Sequence, residues 1–403
     1  MALLPVADAL SKVLDGVSPL PSEIVDLPKA YGRVLTADLK ALRTQPPAAM
    51  SAMDGYAVRG EDVATANTAL RIVGEIAAGN TFTGTIGKSE AVRIFTGGVL
   101  PAGADTVVIQ EDTERQGDRV TVKIAALAGR HVRRAGLDFS EGDALLSRGH
   151  RLSGRDLSLA AAMNHSMLPV HRRPRVAVFA TGDELVRPGH VPGPGQIVYS
   201  NGYSLMALIR GEGGELHDLG IVPDRVDETV AAIRQARAVE ADILLTTGGA
   251  SVGEYDLVQQ ALVSEGLKLS FWKLALRPGK PMMHGRLGGM HVLGVPGNPV
   301  SSYVCSFLFL VPLLRRLAGR TDLALATESA RLGTALKAND ERADYLRARL
   351  DTAPDGGLTA TPFPVQDSSM LAPLAGSGCL IIRDPFDPAA PTGAPCRIAK
   401  LPL

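Results

Sequence analysis

The chain has 403 residues, 45% hydrophobic and 4% aromatic, with 43 glycines, 27 prolines and equal numbers of basic and acidic side chains, 42 each. That length suits about two to four domains with separate cores, and the glycine and proline content favours turns and ligand loops over long helices. A formal net charge of zero removes any global electrostatic reason to expect nucleic acid or an anionic membrane as a partner.

The opening stretch MALLPVADAL has no basic n-region and no long apolar run, so it does not read as an export signal. Residues 3–16 read as a short amphipathic helix with Val6, Leu10, Val13 and Leu14 on one face. Residues 22–45 carry no clear period and end at TQPP. From 46 to 146 short segments alternate apolar and polar residues, with QGD placed as a hairpin turn, which predicts a small antiparallel barrel or sandwich. A helix is expected over 152–164, with Ser153 as N-cap. Next comes RVAVFATGDEL, a buried strand entering a glycine turn. Helix SLMALIRGEG, strand ELHDLGIV, helix VDETVAAIRQARAV, strand ADILLTTGG and a helix from Tyr255 follow it. This alternation predicts βαβ units on a parallel sheet, with ligands beyond the C-terminal ends of the strands. The apolar run Tyr303–Leu314 is too short for a span of ~20 residues and reads as a buried helix. Residues 327–403 return to short β segments, with DGG as a hairpin turn. Cys305, Cys379 and Cys396 form no C-x-x-C pair. Neither zinc nor a disulfide framework is therefore indicated, and a reducing, cytoplasmic compartment is expected.

Two Gly/Ser-rich turns, TTGGASVG and PGNPVSS, each precede a helix. They are either ordinary strand–helix punctuation with Ser or Asn caps, or backbone amides and hydroxyls arranged around an oxyanion. ATGDEL and GEYD place Asp183, Glu184, Glu254 and Asp256 after such turns. These acids either complement the helix dipoles or hold Mg²⁺ against ligand phosphates. LRPGKP sets Arg277 and Lys280 at a tight corner that suits a small oxyanion. In PPAAMSAMDGYAV, Asp54 is either a fixed, partly buried acid or part of a D-G turn. RIFTGGVLPAGADTVV carries Thr96, and HVRRAGLDF carries Arg133, Arg134 and Asp138. No H-E-x-x-H, G-x-S-x-G or G-x-x-x-x-G-K-[ST] occurs, so classical zinc, serine-hydrolase and P-loop chemistry are poorly supported.

In their order SAMDGYA, RIFTGG, ATGDEL, TTGGASVGEYD, LRPGKP and PGNPVSS resemble the molybdopterin molybdenumtransferase family, MoeA and the gephyrin E domain, over essentially the whole chain. The resemblance implies a multidomain α/β plus β fold. Its parts would be a segmented helical domain (27–45 and 147–168), a β-rich lobe (46–146), a central α/β molybdopterin-binding domain with a mostly parallel sheet (1–26 and 169–326) and a C-terminal β-barrel (327–403). It implies insertion of molybdate into adenylylated molybdopterin, with Mg²⁺ required and AMP released, by a homodimer with a shared site. The adenylyltransferase of the preceding step and molybdoenzyme chaperones are further implied partners. By motif match, Asp54, Glu184, Asp256 and Asp138 are the catalytic acids, the first three also metal ligands. Substrate contacts fall to Thr96, Arg133, Thr247, Gly248, Gly249, Ser251, Arg277, Lys280, Pro281, Asn298, Ser301, Arg347 and Ser368. Asp54, Thr96, Arg133 and Asp138 would complete the neighbouring subunit's site. Arg277 stands where family members often carry Lys. The rivals are a molybdopterin adenylyltransferase, which needs neither the β lobe nor the barrel, and a gephyrin-like scaffold.

Overall fold

The structure is a computed structural model that describes residues 3–77, 79–248, 257–354 and 356–402. Contacts divide the chain into two compact units. One holds residues 24–31 and 37–168, the other 1–23, 32–36 and 169–403. Helix α1 (Val6–Leu14) opens the larger unit and buries Ala9 and Val13 in its core.

The smaller unit is built on a sheet of six strands: β1 (Gly55–Val58), β2 (Thr68–Ile76), β3 (Glu90–Ile94), β4 (Thr106–Ile109), β5 (Thr113–Gln116) and β6 (Arg119–Val122). Their order is β4-β1-β3-β2-β6-β5. The β5–β6 hairpin turns between Gln116 and Arg119, where QGD predicts it. The expectation of a wholly antiparallel arrangement is corrected, because β2 and β3 run parallel. Residues 77–89 supply the crossover that a parallel pair needs, and alternation of apolar residues is the same for both pairings. Helix α2 (Gly154–Ala162) begins at Ser153, whose Oγ accepts from the Asp156 amide at 3.4 Å. Its own amide donates to Asp156 Oδ2 at 2.7 Å. This reciprocal box satisfies two N-terminal donors.

The larger unit contains a second six-stranded sheet, formed by β7 (Arg175–Thr181), β8 (Glu215–Val222), β9 (Ile243–Thr247), β10 (Lys268–Lys273), β11 (Pro281–Leu287) and β12 (Met290–Val295). The order is β8-β7-β9-β12-β11-β10. The first four strands run parallel, and β11 runs antiparallel to both its neighbours, β12 and β10. Successive residues of β7 feed opposite cores. Val176 and Val178 pack on the side of α1, α3 (Asn201–Gly211), α6 (Pro299–Cys305) and α7 (Val311–Leu317). Ala177 and Phe179 pack on the side of α4 (Val226–Ala238) and α5 (Leu257–Ser264). A strand covered on both faces has to be apolar where it is covered, as VAVFA, residues 176–180, is. The stretch Pro299–Leu317, with π turns at Ser306–Leu310 between α6 and α7, is long and apolar enough to cross a membrane. However, 83% of its apolar window is buried inside the protein, so it is the core helix that the sequence predicts.

Strands β13 (Thr327–Leu332), β14 (Ala343–Thr352), β15 (Leu358–Pro362), β16 (Cys379–Arg383) and β17 (Pro395–Lys400) pair in the cycle β14-β15-β13-β17-β16-β14. This is a closed barrel, and closure leaves no edge strand to pair with another chain. Strands β14 and β15 pair antiparallel with Thr352 opposite Leu358; the expected DGG turn includes Asp355, which lies outside the described residues.

Candidate active site

Strand order reverses beside β7, whose neighbours β8 and β9 lie on opposite sides. A crevice is expected at such a switch point, and a cavity of about 610 Å³ opens at the C-terminal ends of β7 and β9. Thr181 ends β7 and Thr247 ends β9; both line the cavity. Gly248, the next lining residue, has φ +85°, and a Cβ there would lie 2.7 Å from the Thr181 carbonyl oxygen. Only glycine lets the chain leave β9 so close to β7.

Glu184 follows the turn after β7 and presents an exposed carboxylate to the cavity. Its carbonyl accepts from the Ile197 amide at 2.8 Å, which brings Tyr199, Ser200 and Asn201 to the cavity wall at the start of α3. Asn201 Nδ2 donates to the Gly297 carbonyl at 2.6 Å and so ties α3 to the PGNP turn. The capping role open to Asn298 is not used. Its side chain makes no cap bond, and Nδ2 donates to Ser368 Oγ at 3.0 Å. The Val300 amide also donates to the Ser368 carbonyl at 3.1 Å. Ser369 and Leu371 of the barrel are thereby brought to the cavity, together with Pro281 of β11.

Three expected ligands are placed otherwise. Ser301 is buried on α6 and does not line the cavity. Among the described residues Arg347 is the largest fully buried side chain, 1% exposed. It donates to the carbonyls of Asp367 and Met370, each at 2.9 Å, so it braces the loop carrying Ser368 and Ser369 from below. Arg277 turns its guanidinium onto Asp344, onto Asp340 at 3.0 Å and onto Asn339 at 3.1 Å. Four of its five N–H groups are engaged this way. The corner expected from LRPGKP is therefore divided. Lys280 is exposed with no carboxylate in ion-pair range among the described residues, whereas Arg277 is held by carboxylates. Gly249, Ser251 and Asp256 lie outside the described residues.

An acid that the sequence reading overlooked joins Glu184. The Asp224 amide donates to Asp183 Oδ1 at 3.1 Å, and the Asp183 amide approaches Asp224 Oδ2 at 3.4 Å. Desolvation, followed by the charges of Asp183 and Glu184, raises the Asp224 carboxyl above its ordinary value. VPD immediately after β8 was the available signal, since it ends a parallel strand beside β7. Tyr199, Asn201 and Ser369 were likewise missed; YSN before α3 pointed to the first two.

In the smaller unit the three motif loops meet. The Ser51 amide donates to the Gly98 carbonyl, the Gly97 amide to Ser51 and the Ala52 amide to His131, each at 2.9 Å. Asp54 is half-buried, and its Oδ1 accepts from the Thr96 amide at 2.7 Å and from Thr96 Oγ1 at 2.8 Å. Those bonds, helped by Arg93, hold its carboxyl below the ordinary range. Asp54 is thus anchored by Thr96, in the loop between the strands Met50–Ser51 and Gly55–Val58. Arg133 pairs through its backbone with Met50, and the Asp138 amide donates to Gln45 at 3.0 Å; both side chains are exposed. Among the described residues no three His, Cys, Asp or Glu side chains converge to hold a metal ion.

Residues 4–164 match the family model of the MoeA N-terminal region (domain I and II). Residues 177–316 match a probable molybdopterin binding domain, and 329–401 the MoeA C-terminal region (domain IV). A Haemophilus influenzae protein named molybdopterin molybdenumtransferase is 33% identical over 385 residues, 95% of each chain. One of the same name from Nostoc sp. is 41% identical over 305 residues, 74% of this chain and 70% of that protein. The crystal structure of a molybdopterin biosynthesis MoeA protein from Pyrococcus horikosii has a TM-score of 0.84 at 30% identity, covering 99% of both chains. Matched in this way along nearly its whole length, the chain belongs to the MoeA family of molybdopterin molybdenumtransferases, enzymes of molybdenum cofactor biosynthesis.

Proposed function

We propose that this enzyme inserts molybdate into adenylylated molybdopterin, with Mg²⁺-dependent release of AMP, as a cytoplasmic homodimer whose sites are completed by the partner subunit. The observation that carries the reading is the cavity beyond β7 and β9, where hydroxyl and amide groups lie beside the Glu184 carboxylate. Thr181, Thr247 and Asn298 offer neutral donors to phosphate and oxyanion oxygens. Lys280, one residue before the lining Pro281, supplies an exposed ammonium to a second anion. Bringing two anions together needs such cations at close range.

The residues present suit Mg²⁺. Its hard oxygen ligands are one or two carboxylates plus substrate phosphates and water, not a dedicated protein cage. Glu184 at the cavity, with Asp183 and Asp224 near it, offers carboxylate oxygen of that kind. In this reading Glu184, Asp256 and Asp54 hold the ion, and Asp224 joins them. Bound there, Mg²⁺ neutralises charge on the phosphoanhydride. Asp54, kept ionised by Thr96, and Asp138 come from the partner and orient the attacking oxygen. The four-domain division is part of the same proposal, as are a handover from the adenylyltransferase and delivery to molybdoenzyme chaperones.

Purified protein given adenylylated molybdopterin, Mg²⁺ and molybdate is expected to release AMP and yield active cofactor. Glu184→Ala should abolish AMP release while substrate still binds. Pyrophosphate release from molybdopterin and ATP, without AMP release in the first assay, would assign the chain to the preceding step instead.

A further inference from the structure

Thr96 holds the Asp54 carboxylate, and a third residue, Arg93, is attached to both segments that carry the pair. Arg93 lies on β3 directly opposite Tyr56 of β1, a position from which the two side chains share one face of the sheet. Its guanidinium carbon stands 5.2 Å from the centre of the Tyr56 ring and 4.9 Å from that of Phe95. Both distances fall within the reach of cation–π attraction, about 6 Å. Tyr56 follows Asp54 by two residues, and Phe95 immediately precedes Thr96. One planar cation thus braces both segments. Hydrogen bonds tighten the hold on the Asp54 side. Nη1 donates to the Gly55 carbonyl at 3.0 Å, and Nη2 donates to Gln110 Oε1 at 2.7 Å. The Gln110 amide in turn donates to the Asp54 carbonyl at 3.1 Å. The carbonyls of Asp54 and Gly55 are therefore both tied to Arg93, one through Gln110 and one directly.

We infer that Arg93 is a positioning residue: by stacking on Tyr56 and Phe95 and holding the Gly55 carbonyl and Gln110, it fixes the Asp54 carboxylate in the place from which it orients the attacking oxygen. This rests on the role proposed above for Asp54. Arginine suits the task because its flat, forked guanidinium stacks on rings and donates in two directions at once, whereas an ammonium keeps only the charge. Such fixing matters because a misplacement of about 1 Å can cost about 10²-fold in rate.

The test compares wild type with Arg93→Met and Arg93→Lys in the full chain. Methionine keeps an apolar side chain against the two rings and removes the charge and both donors. The measurements are kcat and KM for adenylylated molybdopterin by AMP release, amide hydrogen exchange in peptides spanning Asp54 and Thr96, and Tm by thermal denaturation. In Arg93→Met, kcat is expected to fall about 10²-fold with Tm nearly unchanged. KM should also stay nearly unchanged, because the residues lining the substrate cavity belong to the other compact unit. The Thr96 amide, which donates to Asp54 Oδ1, should exchange faster. Arg93→Lys should recover little of either effect. Full recovery by lysine overturns the inference in favour of charge alone. Unchanged exchange around Thr96 overturns it too, as does a loss of kcat that merely follows a lower Tm. Wild type that releases no AMP defeats the proposed reaction, and the exchange comparison still decides whether Arg93 holds Asp54 against Thr96.

Discussion

Arg277 and Lys280 lie three positions apart in one motif and have different work. Asp344 is buried, and hydrogen bonding to it, more than any other cause, raises the Arg277 guanidinium above its ordinary value. Arg277→Ala would leave that carboxylate without its partner and should cost about 3 kcal/mol, seen as a lower denaturation midpoint. Arg277→Lys should recover only part of this, because an ammonium cannot reproduce the fork onto Asp344 and Asp340. Lys280→Ala is expected to leave the midpoint unchanged and to raise the molybdate concentration needed for turnover, since it removes a charged donor worth about 1.5–3 kcal/mol to an oxyanion. Equal molybdate dependence in Lys280→Ala and wild type would make Lys280 a solvated turn residue. Sequence spacing placed both cations at one corner but could not assign these roles. The acids that claim Arg277 lie at least 63 residues away in sequence, and only the closing of the barrel onto Leu276–Arg277 brings them near.

Adjacent strands β11 and β12 carry a pair of histidines, His284 and His291, whose Nε2 and Nδ1 lie 3.3 Å apart. Each is 2% exposed. Desolvation first, then Arg286, lowers His284 to about 4; the same causes with His284 added lower His291 to about 3. Unfolded, both would titrate near 6.5. The unfolded chain therefore binds more protons as pH falls below about 6.5, and the folded state loses up to about 1.4 kcal/mol per pH unit for each histidine until its own low value is reached. Urea midpoints from pH 7 down to pH 4.5 should fall, and less steeply in His291→Phe. Parallel slopes for the two proteins would show that the histidines do not carry the effect. At this scale most of the fold was legible. VAVFA and ILL form apolar runs because both faces are covered, and Ser153 with Asp156 announces α2. The β2–β3 direction was hidden because an alternating strand looks the same in either pairing. Asp224 and Tyr199 were hidden because nothing local distinguishes an acid or phenol at a cavity wall from one in a loop.

The whole molecule raises a question that no single residue answers. The expected catalytic acids fall into two sets, Asp54 and Asp138 in one compact unit and Glu184 in the other, each with its own local scaffold. If a reaction centre needs both sets and draws them from two copies of the chain, damage to one set in one copy can be offset by the other copy. A two-fold dimer makes this quantitative. Mix Asp54→Ala with Glu184→Ala in equal amounts under conditions of subunit exchange, and half the dimers contain one of each. Every such mixed dimer has one doubly damaged centre and one intact centre. Two proteins that are each inactive alone should therefore regain about a quarter of the wild-type AMP release. Centres built within single chains would regain none, because every chain would still carry its own lesion. Analytical ultracentrifugation of the mixture must show dimers, and differently tagged subunits must co-purify, so that absence of activity can be traced to the architecture of the site and not to failed exchange.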